Sequence, residues 1–368
     1  MRPTCAFSWL LLLFAPPILC GASLPDDIFK DGFEAPITAT ADTWTWVPFS
    51  DAFCGDGSTV GIGINPSSTG TRVSIYLEGG GACYDSFTCY SLQAARYFTT
   101  GYGELDFTAE ANSSGYLAQS GGFFDRTSAA NPFKDYSYVY VPYCTGDNHS
   151  GNNIVQLGAN TAYFVGFDNM KAYLNRLYPT FRSADRVVLA GSDAGGFGAT
   201  ANWWQTQQAF GKIRVDMIDD SGTYMPPDII PAGSSSVAAQ ETNWNLATTW
   251  PPLCTTCSTA IDTIFDFYST AFPGNRGALL SYTQDTIVPS YYGISGSQFT
   301  TGLGELESSQ FNATTNPNLA YFAVGSSGHV LWFNPTISTG NSMTGNFTLQ
   351  QFITLMESDD PTWQSLHP

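Results

Sequence analysis

The sequence predicts an α/β protein with a largely parallel sheet covered by helices. Three observations point there. Short β-branched or apolar runs alternate with segments of helical spacing, each run ends in a polar or glycine-rich cluster, and one cluster, Gly191–Gly196, reads as a sharp strand-to-helix turn. In such sheets ligands sit beyond the carboxyl ends of the strands.

The elements follow in order. Thr71–Leu77 is β-branched and runs into Glu78-Gly79-Gly80-Gly81, and Tyr136–Val141 ends at Pro142 and the loop Cys144–Asn153. Asn160–Tyr178 has helical spacing, with Phe164, Phe167, Met170, Leu174 and Leu177 on one face. Arg186–Ala190 is a strand, and a helix is expected from Gly196 through Gln208. Arg214–Ile218 is a strand closed by Asp219-Asp220-Ser221-Gly222. Gly277–Tyr282 ends near Asp285, and Ala320–Val324 leads to Gly325–His329.

The first residues set the compartment. Arg2 precedes an apolar run from Ala6 to Ile18, followed by the small residues Gly21 and Ala22. Residues 1–22 therefore read as a secretory signal peptide, because a membrane span needs about 20 apolar residues. Residues 23–43 are expected to be an acidic tail and 44–368 a single domain, since no linker or repeat divides them. No later segment reaches spanning length, and a secreted or periplasmic monomer is expected.

The formal net charge is −18, from 13 basic and 31 acidic side chains. Nucleic acid and anionic membranes reward lysine and arginine, so neither is expected as a partner. Eight cysteines become six once Cys5 and Cys20 leave with the signal. An even number in an exported chain argues for disulfides. Cys83 with Cys89 and Cys254 with Cys257 are the local pairs, leaving Cys54 with Cys144, although six cysteines allow fifteen connectivities. Cys254 and Cys257 lack a second ligand pair, so no metal and no cofactor is expected.

The chemistry centres on Gly191-Ser192-Asp193-Ala194-Gly195. It has the G-x-S-x-G nucleophile-elbow frame, with Asp193 at the central position. A glycine-rich turn capped by an aspartate is the plainer reading of that segment alone. Only His149, His329 and His367 exist to serve as a base. His329 follows the final strand and Asp285 the one before, giving the order nucleophile, acid, histidine expected for this type of site. Asp219 and Asp220 are rivals for the acid, and with His149 are candidate substrate-binding residues. The backbone N–H groups of Gly80, Gly81 and Ala194 are the candidate oxyanion hole.

Taken together, these pieces resemble the pectin acetylesterase/Notum family of secreted carboxylesterases. The resemblance rests on Phe53-Cys54-Gly55-Asp56-Gly57-Ser58, Leu77-Glu78-Gly79-Gly80-Gly81-Ala82-Cys83, Val141-Pro142-Tyr143-Cys144, Ala190-Gly191-Ser192-Asp193-Ala194-Gly195-Gly196, Asp285 and His329, in family order. It implies an α/β-hydrolase-like three-layer sandwich with disulfide-stapled loops, a triad of Asp193, Asp285 and His329, and the pairs Cys83–Cys89 and Cys54–Cys144. The chain departs from the family in two places. Asp193 stands where the family has its nucleophilic serine, and Ala82 where an aromatic is common.

An aspartate changes the chemistry. A carboxylate attacking an ester carbonyl would give a mixed anhydride, whereas at a saturated carbon it gives an alkyl ester of the protein. The resemblance implies hydrolysis of carboxylic esters, with a glycan or small acyl ester as substrate. The aspartate opens two alternatives: hydrolysis of alkyl substrates of the dehalogenase or epoxide-hydrolase kind, and a non-catalytic site that binds a glycan or acyl ligand.

Overall fold

A computed structural model describes residues 32–112, 115–334, 336–339 and 346–368. The segment read as a signal peptide lies outside the described residues. Ten strands are present among the described residues: β1 (Thr45–Phe53), β2 (Thr59–Asn65), β3 (Arg72–Leu77), β4 (Ser137–Val141), β5 (Asn153–Leu157), β6 (Asn160–Phe164), β7 (Arg186–Ser192), β8 (Arg214–Asp220), β9 (Gly277–Asp285) and β10 (Leu319–Gly328). The helices are α1 (Glu104–Ala111), α2 (Gly166–Phe181), α3 (Ala194–Phe210), α4 (Ser235–Asn243), α5 (Ile264–Ala271), α6 (Val288–Tyr292), α7 (Gly296–Ser309) and α8 (Leu349–Glu357).

Eight strands form one sheet in the order β1-β2-β4-β3-β7-β8-β9-β10, and β5 and β6 form a separate hairpin. From β4 to β10 every pairing is parallel, while β1 and β2 add an antiparallel edge. All residues of β4 and β7 are buried, as strands covered on both faces should be. After β3 the chain places β4 on one side and β7 on the other. The order therefore reverses between β3 and β7, and a crevice opens beyond their carboxyl ends.

Helix α3 lies close on this crevice. A Cβ on Gly195 would stand 2.0 Å from the Leu77 carbonyl oxygen, and one on Gly191 would stand 2.0 Å from that of Gly195. Glycine inside a helix costs about 1 kcal/mol relative to alanine. Burial of Trp203, Trp204 and Phe210 further along α3 offsets this, at roughly 1.5–3 kcal/mol for each large apolar side chain.

The helix expected over Asn160–Tyr178 begins only at Gly166. Residues 160–164 instead form β6, paired with β5. Ala162 and Phe164 are buried while Asn160 and Thr161 are exposed, and this near-alternation competes with helical spacing over so short a run. The Asp147 carboxylate accepts the Gly166 N–H at 2.8 Å, fixing where the helix starts.

Three disulfides close loops: Cys54–Cys144, Cys83–Cys89 and Cys254–Cys257. No helix among the described residues is long and apolar enough to cross a membrane.

Candidate active site

The elbow is the sharpest local feature. Asp193 sits between β7 and α3 with φ 57° and ψ −124°, a backbone state that non-glycine residues seldom adopt. Here it thrusts the side chain out of the turn. The Asp193 N–H is held by the Asp220 carbonyl at 2.8 Å, and the Asp193 carbonyl accepts the Gly196 N–H at 2.9 Å. Ser192 points the other way, into the protein, where its hydroxyl accepts from Tyr76 at 2.9 Å and donates to Asp220 at 3.0 Å. It is not available as a nucleophile.

Three residues far apart along the chain meet at this point. His329 Nδ1 is 2.8 Å from Asp285 Oδ2, and His329 Nε2 is 3.1 Å from Asp193 Oδ1. Asp285 is the last residue of β9, and its other oxygen, Oδ1, accepts the N–H groups of Ile287 and Val288 at 2.8 Å each. His329 directly follows β10.

The glycine loop after β3 lies against the elbow, and its N–H groups are taken up by Asp193. Gly80 and Gly81 donate their N–H groups to Asp193 Oδ2 at 2.7 and 2.9 Å. Gly81 has φ 76°, and a Cβ there would lie 2.1 Å from the Ala94 carbonyl oxygen, so both conformation and space require glycine. The N–H of Ala194, expected as a third donor, is not among the bonds to this oxygen. The carboxylate thus spans the site, one oxygen on the Gly80 and Gly81 N–H groups and one on the histidine.

Electrostatics follow from that placement. Burial alone would lower the His329 pKa. The bonds and charges of Asp193 and Asp285 override it and raise the value to about 10, so both ring nitrogens carry protons at neutral pH. Burial would raise the Asp193 pKa, yet His329 and the Gly81 and Gly80 N–H groups hold it below the usual carboxylate value. The resting site is an ion pair, and its histidine is not a base while Asp193 is charged.

Three expected substrate-binding residues are corrected by their surroundings. His149 is buried. Its Nε2 contacts the Glu78 carbonyl at 2.8 Å, and burial lowers its pKa to about 4, so it braces the oxyanion loop as a neutral ring. Asp219 is fully buried and accepts from the Thr200 hydroxyl and the Gly222 N–H, each at 2.7 Å. Asp220, also fully buried, accepts the N–H groups of Leu331 and Trp332 at 2.9 and 3.0 Å. That ties the segment after His329 down to β8, while the carboxylate in contact with His329 Nδ1 is that of Asp285. Both aspartates face inward because β8 is buried on both sides.

A cleft opens beside Asp193, lined by Ala82, Phe197, Trp244, Val288, Tyr291 and others. Tyr224, Gln240, Leu246 and Tyr292 also line a wider groove beside α4, so the two cavities adjoin across these residues. The sequence reading missed these aromatics. The available signal was Tyr291-Tyr292, which stands six residues past Asp285.

A family model described as Pectinacetylesterase matches residues 42–266. The chain belongs to the pectinacetylesterase family. The family's description names an esterase, and the three disulfides among the described residues suit an oxidising setting. This pectinacetylesterase-family chain is similar to the palmitoleoyl-protein carboxylesterase NOTUM of Schmidtea mediterranea, at 34% identity over 154 residues covering 40% of this chain and 27% of that protein. It is also similar to notum2 of Xenopus laevis, at 32% identity over 154 residues covering 40% and 29% respectively. The matched stretch spans less than a third of the length of these curated relatives. Among solved structures, the Wnt deacylase Notum from Drosophila shares the fold with a TM-score of 0.63 at 19% identity, covering 89% of this chain and 96% of that one.

Proposed function

We propose that this chain is a secreted hydrolase that works on alkyl substrates through an ester of its own Asp193. One observation supports the reading: Oδ2 accepts the Gly80 and Gly81 N–H groups while Oδ1 faces His329.

In the first half-reaction Oδ1 attacks a saturated carbon in the cleft, and the bond to the leaving group breaks. The product is an alkyl ester whose carbonyl oxygen is Oδ2. Esterification removes the Asp193 charge, so His329 loses one of the two carboxylates that hold its pKa near 10 and can release its proton. The neutral imidazole, oriented by Asp285, then takes a proton from water, which attacks Cγ. Negative charge collects on Oδ2, where Gly80 and Gly81 receive it. Collapse releases the alcohol with the added hydroxyl's proton and restores the carboxylate beside the imidazolium. This second half is carboxylic-ester hydrolysis, performed on an ester of the protein itself.

Direct attack by Asp193 on an acyl carbonyl fits less well. It would give an anhydride, and the substrate's oxygen would compete with Oδ2 for the same two N–H groups. A second reading has Asp193 swing out of the hole while water attacks a neutral acyl ester of a glycan or protein. Family membership and the largely apolar cleft favour it.

The test is a single turnover in oxygen-labelled water with an alkyl electrophile, followed by mass analysis of the peptide containing Asp193. One heavy oxygen is expected in that carboxylate, and His329→Ala should accumulate the alkyl ester. Turnover of acyl esters with an unlabelled Asp193 would move the assignment to the second reading.

A further inference from the structure

An alkoxide departs from saturated carbon far more readily when a proton meets it, whereas a halide needs none. Four hydroxyl side chains line the cleft beside Asp193 among the described residues: Ser150, Tyr224, Tyr291 and Tyr292. Three are turned onto main-chain carbonyls. Ser150 donates to Asp147 at 2.7 Å, Tyr224 to Phe197 at 3.3 Å and Tyr292 to Thr223 at 3.2 Å. Tyr291 is the most weakly engaged, reaching the Ala94 carbonyl only at 3.5 Å while its oxygen receives the Ala82 N–H at 3.3 Å.

Its position separates it further. The Tyr291 hydroxyl lies 2.8 Å from where a Cβ on Gly81 would be, and the N–H of that same glycine binds Asp193 Oδ2 at 2.9 Å. The phenol and the attacking carboxylate therefore flank one residue. Burial pushes the phenol's pKa up, with the Asp193 charge adding to it, which keeps its proton in place at neutral pH.

We propose that Tyr291 is the general acid of the alkylation step, and that the substrate class is an epoxide on a neutral, largely apolar skeleton. This rests on the aspartyl-ester reading. An open-chain ether would need a stronger acid than a phenol, while ring strain lets a phenol suffice. The cleft's apolar lining and the chain's net charge of −18 disfavour anionic substrates. Asp193 Oδ1 attacks one ring carbon, the ring C–O bond breaks, and the ring oxygen takes the Tyr291 proton. The imidazolium of His329, no longer held by a charged Asp193, returns a proton to the phenolate through solvent. That leaves it as the base for the hydrolytic half. The sum is epoxide plus water to diol.

The test compares styrene oxide with phenethyl bromide as alkylating probes, reading adduct formation at Asp193 by intact mass in a His329→Ala background, with and without Tyr291→Phe. Loss of the phenol should slow the epoxide by at least about 100-fold, within the usual range for general acid catalysis, and leave the bromide within about threefold. Equal losses on both probes, or no loss on the epoxide, overturn the role of Tyr291. A protein with Tyr291 intact that is alkylated by neither probe would bring down the aspartyl-ester reading instead. Should Tyr291→Phe not fold, the protein with Tyr291 intact still decides: slower alkylation in deuterated water is expected with the epoxide alone, and its absence overturns the proposal.

Discussion

Oδ1 of Asp193 stands 3.1 Å from Nε2 of His329, and this contact makes the cluster of Asp193, His329 and Asp285 a closed ion pair. In a serine site the same histidine faces a neutral hydroxyl and the two glycine N–H groups await a substrate oxygen. Here the carboxylate charges the first and fills the second.

Replacing that carboxylate should therefore open the site. Asp193→Ser frees the Gly80 and Gly81 N–H groups and removes one of the two charges that raise the His329 pKa. Hydrolysis of short-chain chromogenic esters at pH 8 should rise by at least about 100-fold over the natural sequence, the scale associated with an oxyanion hole. A folded variant with no gain would show that the three residues do not form a working set.

The ion pair sets a pH window for stability. His329 is raised from 6.5 to about 10, so its contribution is complete below the unfolded value and lost as the pH climbs through the folded one. Asp193 is lowered from 3.8, so its contribution is present above that value and lost as the pH falls through the depressed one. The stability gap between the natural sequence and Asp193→Asn should be widest between 3.8 and 6.5 and shrink toward about 10. Melting temperatures across pH, with a nuclear magnetic resonance titration of the His329 ring, check both ends. A ring that titrates near 6.5 would show that the pair does not form in solution.

Asp285 should matter for one step more than the other. Asp285→Asn removes the charge facing His329 Nδ1 and can present an amide N–H there, which favours the wrong ring tautomer. Deacylation of the aspartyl ester should slow by on the order of 10³–10⁴, as when the orienting acid of a triad is lost. Formation of the ester, carried by Asp193 itself, should change by less than about tenfold. Rapid-quench mass analysis separates the two, and equal slowing of both would remove Asp285 from the role of orienting the base.

A stability prediction concerns the opposite end of the sheet. Arg72, Arg186 and Arg214 open β3, β7 and β8, and Arg276 immediately precedes β9. Arg186 is buried, donates to the Glu357 carbonyl at 2.8 Å, and stands beside Asp216, Glu357 and Asp359. Arg186→Met leaves buried carboxylates short of a partner and should cost about 3–5 kcal/mol in urea unfolding. A cost under about 1 kcal/mol would mean that the remaining arginines compensate.

Much of this protein could be read before folding it. The strands that carry the site are apolar runs followed at once by Gly79–Gly81, Asp193, Asp219-Asp220, Asp285 and His329. Short-range pattern was enough to find them because a buried parallel strand must be apolar and its end must turn. Pattern misled at Asn160–Phe164, where helical spacing and strand alternation overlap, and it did not mark β1 and β2 at the antiparallel edge. It also nominated His149, Asp219 and Asp220 for a cleft that none of them enters. A polar residue after a strand can turn inward as readily as outward, and only its partners decide which.

By itself the sequence determined which side chains the chemistry has to work with: an aspartate in an elbow frame, a short stock of histidines, glycines where bare N–H groups are needed. Tertiary structure alone decided the charge state of the site and what fills it. Both depend on distances between residues as much as 136 positions apart, such as the one that puts Asp193 against His329. Electrostatic energy falls with separation in space and takes no account of separation along the chain, so an ion pair of this kind has no local signature to read.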